Sequence, residues 1–563
     1  MAGEIDRILA LPTKAHRPTP DLTQNFRRRG GQMSLREVQS EILYEAANAN
    51  GLLGFVGVGE GKTLASMLLP HVIRAEDGSP VSRPLLLIPA AMRAQCIHDW
   101  EMYQEHFLLP DTLLVRSYEE ISNNTAMLRE LAPDLIICDE AHKLRNLAAS
   151  RTKRVARYIK SHRPRFVALS GTLTATTIKD FAHLAKWALG DLSPLPNRLT
   201  YVNSWAACLD RDGRPTEGDR MSMRRLQKAF GGTTAREAFQ KRLETTRGVV
   251  LSNNAGPPCS LVIELRTPTT APKIEEYLDQ IRDTWTTPGG EELDSALSFT
   301  RACRQIACGF YYVWKWKDGV PDEPWLETRA EWHRAVRRAL SRAGEGYDSP
   351  SLLAAACERL IQGEAERLPR SLVEAYTNWV PHKDKPLPPV AARWFSDQFL
   401  EDVEHAISDS PEPPIIWYGH QAVALRLHKR TGYPIFGPGA DASERLVTLK
   451  RPEPIIASLS AHATGKNLQM FGHAIFAHPL SDGARYEQAI GRHHRSGQIR
   501  DDVSSTVFGQ RIFGKAFGQA QKSAKYIEET TGLPQRLRYA TYLTTEEKCE
   551  DSAKGVDTQE SKD

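Results

Sequence analysis

A chain of 563 residues is too long for one core, since single cores stop growing at roughly 250–300 residues, so several domains are expected. Its 41% hydrophobic and 25% charged residues are those of a soluble protein, and no uninterrupted apolar run is long enough to span a bilayer. A net charge of +4 gives no global field for a polyanion, so affinity for nucleic acid has to come from local basic patches.

Residues 1–32 read as a polar N-terminal arm with Pro12, Pro18 and Pro20 and a basic run, Arg27-Arg28-Arg29, expected to be solvated. Met1 to Lys14 carries acids early and no long apolar core, so no secretory signal is expected. None of the eight cysteines forms a C-x-x-C pair, which favours reduced, buried thiols in a cytosolic protein over a zinc ribbon or disulfide framework. Leu35 to Gln39 opens a helical pattern. The Gln39 amide is of a kind that can both donate to and accept from an adenine edge, although alone it reads as a surface residue.

The stretch Leu52-Leu53-Gly54-Phe55-Val56-Gly57-Val58-Gly59-Glu60-Gly61-Lys62-Thr63 organises the rest. An apolar run suited to a buried strand breaks into glycines, and Leu64 to Leu69 reads as the following helix. The turn Gly57, Gly59, Glu60 and Gly61 lets backbone N–H groups face phosphate oxygens, with the helix N-terminus adding its partial positive charge. Lys62 is then expected to reach the outer phosphates and the Thr63 hydroxyl to coordinate Mg²⁺. The strict phosphate-loop pattern has glycine where this chain has Val56.

Further strands are predicted at Pro84–Ile88, Thr112–Glu119, Leu135–Cys138 and Phe166–Leu169, alternating with helical segments, which implies a parallel sheet covered on both faces. Ligands of such sheets sit beyond the carboxyl ends of the strands, where Ser117-Tyr118-Glu119, Asp139-Glu140-Ala141-His142 and Ser170-Gly171-Thr172 fall. Asp139 is suited to hold Mg²⁺ and Glu140 to orient and deprotonate an attacking water.

Residues 191–405 read as a mainly helical insertion. Trp325, Trp332, Val336 and Leu340 fall near helical spacing with arginines off that stripe, which favours an aromatic core over a nucleic-acid stacking surface. After the proline-rich 381–389, strands are predicted at Pro414–Tyr418, Pro434–Gly437, Pro454–Leu459 and His473–Ala477. A helix is then expected to carry Gln488 to Gln498, with Arg492 and Arg495, three apart, on one face. Two guanidiniums on one phosphate can neutralise charge developing on the γ-phosphoryl. His493-His494 is not expected to hold metal, because adjacent side chains diverge. A helical stretch follows near 516–530, and the charged tail from about Thr544 is expected to be disordered.

Together these strings resemble the superfamily-two helicase-like ATPases with a DEAH box, most closely the Swi/Snf type of DNA translocase and its short prokaryotic and phage-encoded members. In that resemblance Leu35–Gln39 corresponds to the adenine-recognising segment, Gly59–Thr63 to motif I, Asp139–His142 to motif II and Ser170–Thr172 to motif III. Gly465–Leu468 corresponds to motif V, and Gln488 to Gln498 to motif VI, Q-x-x-G-R-x-x-R-x-G-Q. Ile88-Pro89, Trp100-Glu101 and Ser117–Glu119 resemble segments that contact the DNA backbone. The chain departs from the Swi/Snf pattern at His478-Pro479-Leu480-Ser481, where a Trp-Asn-Pro stretch is usual, and in lacking the proline that often follows motif III.

The resemblance implies an α/β fold of two RecA-like lobes, a phosphate-loop NTPase, at 33–190 and 406–530, joined by the insertion and followed by a partly disordered tail at 531–563. It implies an ATP- and Mg²⁺-dependent ATPase acting on DNA, double-stranded favoured, single-stranded possible and RNA less favoured, without a membrane partner, in the cytoplasm of a prokaryote or phage-infected host. Gln488 and His142 would couple the γ-phosphate to lobe position. The alternatives are an RNA helicase, or an ATP-switched clamp that does not translocate.

Overall fold

The computed structural model describes residues 2–14, 19–252, 257, 259–291, 293, 296–316, 319–342, 349–364, 367–509 and 511–544. The first sheet contains β1 (Leu52–Phe55), β2 (Pro84–Ile88), β3 (Leu114–Ser117), β4 (Leu135–Asp139), β5 (Arg165–Ser170) and β6 (Val249–Leu251). All six strands are parallel, in the order β3-β2-β4-β5-β1-β6. Alternate side chains feed two cores. Leu53, Phe55, Ile136, Cys138, Phe166 and Ala168 pack on one face, and Leu52, Val56, Leu135, Ile137, Val167 and Leu169 on the other. Strands buried on both faces must read as continuous apolar runs, as β2 and β4 do, whereas the half-buried edge strand β3 carries Arg116 and Ser117.

β7 (Ser260–Arg266) leaves for the second sheet, and an antiparallel pair, β8 (Phe310–Trp314) and β9 (Val390–Trp394), lies in the helical region between the sheets. The second sheet continues with β10 (Ile415–Tyr418), β11 (Ile435–Phe436), β12 (Ile455–Ser458), β13 (His473–Ala477), β14 (Asp502–Phe508) and β15 (Thr541–Thr544). Its seven strands are parallel, in the order β11-β12-β10-β13-β14-β7-β15. Here too alternate residues divide between two cores, Ile415, Trp417, Ala474 and Phe476 against Ile416, Tyr418, Ile475 and Ala477. The chain is thus an α/β protein of two parallel-sheet lobes of the RecA-like kind.

The lobe limits differ from 190 and 406. The helices Leu199–Leu209, Glu217–Phe230 and Ala235–Thr245 bury Val202, Trp205, Leu226 and Phe239 in the first core, and β6 completes that sheet. β7 pairs between β14 and β15. β6 has only three residues and both strands pair at long range, so local pattern does not reveal them. The middle retains an aromatic core, with Trp332, Val336 and Tyr376 buried together and Trp325 almost fully buried.

Two terminal segments also depart from expectation. The N-terminal arm forms a helix, Ala2–Leu9, which buries Ile5 and Ile8 in the first core, and Arg7 donates to the carbonyls of Asp191, Ser193 and Leu195. Its basic run is anchored: Arg27 donates to the Met33 carbonyl and Arg28 to that of Gln104. The segment 531–544 belongs to the second lobe, with Leu533, Arg536 and Leu537 buried and β15 at the sheet edge. The tail beyond Thr544 lies outside the described residues. The seven described cysteines form no disulfide with one another, and all but Cys208 are buried. Among the described residues no helix is long and apolar enough to cross a membrane.

Candidate active site between the lobes

The phosphate loop leaves β1 and enters the helix Lys62–Leu68. Gly59 and Gly61 have φ of 92° and 77°, a left-handed backbone open to glycine and costly for other residues. Val56 is not in that region. It continues the buried strand, so its side chain packs in the core while its carbonyl faces the loop. Lys62 Nζ donates to the carbonyls of Val56 at 3.1 Å and Gly57 at 3.0 Å, and stands 3.9 Å from Glu140 Oε1. Three residues brace the loop from outside. Gln39 donates to the Gly61 carbonyl (2.9 Å), Arg36 to the Gly59 carbonyl (2.7 Å), and the Ser252 hydroxyl accepts from Gly57 N–H (3.3 Å). Gln39 Oε1 also accepts from the Arg36 N–H, closing the helix start, so the Gln39 amide is built into the loop's support.

At the end of β4, Thr63 Oγ1 stands 3.5 Å from Asp139 Oδ2, while buried Asp139 Oδ1 has no hydrogen-bond partner. A hydroxyl and a carboxylate with an unused buried oxygen suit a hard divalent cation, so Thr63 and Asp139 fit Mg²⁺. Glu140 follows at φ 57°, and this left-handed turn aims its carboxylate at Lys62, at the Ser170 hydroxyl (3.2 Å) and at His142 Nδ1 (3.2 Å). Burial opposes the Glu140 charge, but Lys62, His142 and Arg492 outweigh it and hold its carboxyl well below the usual range. Burial and the Glu140 charge push Asp139 the other way.

The second lobe meets this site directly. The helix Gly483–Ile490 is capped by Asp482, which accepts from Ala484 N–H at 3.0 Å. It stops at Ile490, so Arg492 and Arg495 do not share a helix face as expected. They lie in the turns that follow, where hydrogen bonds run from His493 N–H and His494 N–H back to the Ile490 carbonyl. A shared acceptor groups them instead: the Lys466 carbonyl takes a bond from Arg492 Nη1 at 3.0 Å and from Arg495 Nη1 at 3.4 Å. Leu468 N–H returns a bond to the Arg492 carbonyl (3.1 Å), stapling the 463–468 turn to this one.

Gly491 and Arg495 lie against the phosphate loop. A Cβ on Gly491 would fall 2.8 Å from Val58 Cγ1, and one on Gly59 would sit 3.5 Å from Arg495 Cβ. Gln488 bridges the lobes, donating to Thr172 Oγ1 at 3.2 Å and accepting from Thr464 Oγ1 at 3.2 Å. Thr172 in turn contacts His142 Nδ1 (3.3 Å), which contacts Glu140. Arg492 forms no ion pair with a carboxylate among the described residues; burial, with Arg495 beside it, pushes its guanidinium down to about 9 against the pull of Glu140 and Asp139. Lys62, Arg492, Arg495 and Arg36 thus concentrate cations around one loop, an arrangement suited to a polyanion.

Several residues with sequence-derived expectations serve structure. The Tyr118 hydroxyl is fully buried and donates to the Asp139 carbonyl at 2.9 Å, fixing the end of β4. Ser117 caps the helix Tyr118–Asn123, and Glu119 accepts from Ala90 N–H. Trp100 packs against the first-lobe core. His493 faces Ser505, while His494 contacts the Cys259 carbonyl and Arg536, so the two rings point apart. Ser252, Arg36 and the Lys466 carbonyl were not anticipated; a backbone acceptor leaves no mark in sequence, and Ser252 follows the unpredicted β6.

A phosphate loop, an acidic pair at the end of a neighbouring strand and a second lobe that brings arginines to the same side form a two-lobed arrangement suited to a nucleoside triphosphate. Residues 60–243 match the model of the SNF2-related domain, to which this part of the chain is therefore similar. That span is about a third of the chain; it starts inside the phosphate loop and takes in Asp139–His142 and Ser170–Thr172. No curated protein matches the chain.

Proposed function

We propose that this protein is a DNA-dependent ATPase that translocates along DNA, duplex favoured, by hydrolysing ATP between its two lobes in the cytoplasm. The observation that carries the reading is the run of polar contacts from Glu140 through Ser170 and Thr172 to Gln488, with His142 beside it, while Arg495 lies against the phosphate loop and the Arg492 charge acts on Glu140.

In this reading the loop N–H groups and Lys62 hold the β- and γ-phosphates, and Lys62 exchanges its bonds to the Val56 and Gly57 carbonyls for phosphate oxygens. Thr63 and Asp139 would hold Mg²⁺, which when bound offsets phosphate charge and aligns the γ-phosphoryl. Glu140, kept ionised by Lys62, His142 and Arg492, orients a water and takes its proton as the water oxygen bonds to the γ-phosphorus and the bond to the β-phosphate oxygen breaks. Arg492 and Arg495 turn from the Lys466 carbonyl to the γ-phosphoryl and stabilise its charge. Because the groups come from both lobes, only the closed arrangement is competent, and Gln488 reports the first lobe's state to the second. Closing and reopening while bound to a phosphate backbone yields directed steps.

The test is steady-state ATP hydrolysis with double-stranded DNA, single-stranded DNA and RNA. Duplex DNA should stimulate most, and Lys62→Ala should abolish turnover. Stimulation by RNA alone would favour an RNA helicase, and negligible multiple turnover with every polymer would favour a switched clamp.

A further inference from the structure

The segment after the long helix Arg511–Thr531 places a buried arginine against the turn that carries Arg492 and Arg495. Arg536 opens the short helix Arg536–Tyr539, and its backbone N–H donates to Glu487 Oε2 at 2.7 Å while its Nη1 pairs with Glu487 Oε1. The rest of the guanidinium is also committed: Nη2 donates to the His494 carbonyl at 2.8 Å and Nε to His494 Nδ1 at 3.2 Å. His494 Nε2 continues to the Cys259 carbonyl at 3.0 Å, just before β7. One side chain therefore joins the helix Gly483–Ile490, the arginine turn, β7 and the C-terminal segment, with both charges of the pair about 6% exposed.

Glu487 precedes Gln488 directly, and His494 sits between Arg492 and Arg495. Arg536 thus holds both flanks of the element that bears the proposed γ-phosphate ligands. We infer that Arg536 is a positioning residue for hydrolysis: through Glu487 and His494 it fixes the turn so that Arg492 and Arg495 address the phosphate loop, making turnover depend on the C-terminal segment. A planar fork suits this task because it meets a carboxylate, a carbonyl and a ring nitrogen at once, whereas an ammonium offers one point charge. The inference rests on the ATPase reading above.

Two variants separate positioning from stability. Arg536→Lys keeps a cation for Glu487 and loses the fork to His494. The double variant Arg536→Met with Glu487→Leu removes both buried charges together, which is far better tolerated than stranding one. Each should melt within a few degrees of the parent and bind a fluorescent ATP analogue within about threefold of it, because the phosphate loop is untouched. Each should lower kcat for ATP roughly ten- to a hundredfold with KM nearly unchanged, the signature of displaced transition-state ligands. Parent-like kcat in either folded variant would overturn the inference while leaving the ATPase reading intact, provided Arg492→Ala is inactive in the same assay. A parent chain that hydrolyses no ATP with any polymer would overturn the ATPase reading and this inference with it.

Discussion

Gln488 Nε2 lies 3.2 Å from Thr172 Oγ1, a hydrogen bond between residues 316 positions apart that joins the two lobes beside the acidic pair. Thr172 is also within 3.3 Å of His142, so a change at Glu140 has a short polar route into the second lobe. Gln488→Ala removes the link without touching the phosphate loop. DNA-stimulated turnover should fall about tenfold or more with ATP binding retained, read by kcat against analogue affinity.

Glu140→Gln keeps the shape of the site and removes the proton acceptor. The variant should bind ATP at least as tightly as the parent and fail to cleave it in single-turnover experiments, a loss of about a hundredfold or more. Residual cleavage near the parent rate would assign the base elsewhere.

Much of this site was legible in the chain, for physical reasons. Buried parallel strands must be apolar throughout and must release polar residues at their carboxyl ends, and Lys62, Asp139 and Ser170 do follow or end β1, β4 and β5. Arg492 and Arg495 do lie together on the Lys466 carbonyl, although the helix expected to carry them ends at Ile490. Illegible were contacts made by pairing at a distance. β6 completes the first sheet beside β1, β7 joins the second between β14 and β15, Ser252 supports the loop from 195 residues away, and Arg536 meets Glu487 across 49. Tyr118 shows the converse: a residue in a segment resembling a DNA contact is spent on holding the Asp139 carbonyl.

Acid should destabilise the second lobe. Burial, with neighbouring His494, His473 and Arg536, pushes His493 down to about 3; burial and Arg536 push His494 down to about 4; burial with Arg304 and Arg301 pushes His420 down to about 4. The unfolded chain takes up these protons near pH 6.5, whereas the folded chain resists until pH 3–4. Their stability contribution is therefore full above about 6.5 and is lost as pH falls, at about 1.4 kcal/mol per pH unit for each histidine between the two values. Melting temperature should drop steeply from pH 7 to 5, and His493→Gln should flatten the slope. A flat profile in the parent would show that these rings are already charged.

Gly465 has φ 73°, and a Cβ there would fall 2.1 Å from Met92 Cγ of the first lobe. Gly465→Ala should cost about 1–2 kcal/mol from the backbone alone and wedge the lobes apart. Met92→Ala in the same chain should recover the ATP KM, by making room, and leave the loss in melting temperature. Recovery of neither would place the whole effect in the backbone.

Chelation should stop turnover without unfolding the chain, because Thr63 and Asp139 are held by β4 and the loop rather than by a cation. Excess Mg²⁺ should restore it, and Asp139→Asn should raise the Mg²⁺ needed for half-maximal rate by about tenfold or more. Loss of the folded signal on chelation would instead make the site structural.

In the proposed mechanism Arg492 acts across the lobe boundary at the phosphate held by Lys62. Single-turnover ATP hydrolysis by Arg492→Ala with saturating duplex DNA tests this most directly. The rate should fall by about a thousandfold with analogue affinity changed only a few-fold, as expected for a charge applied only in the transition state. Hydrolysis at the parent rate would contradict it.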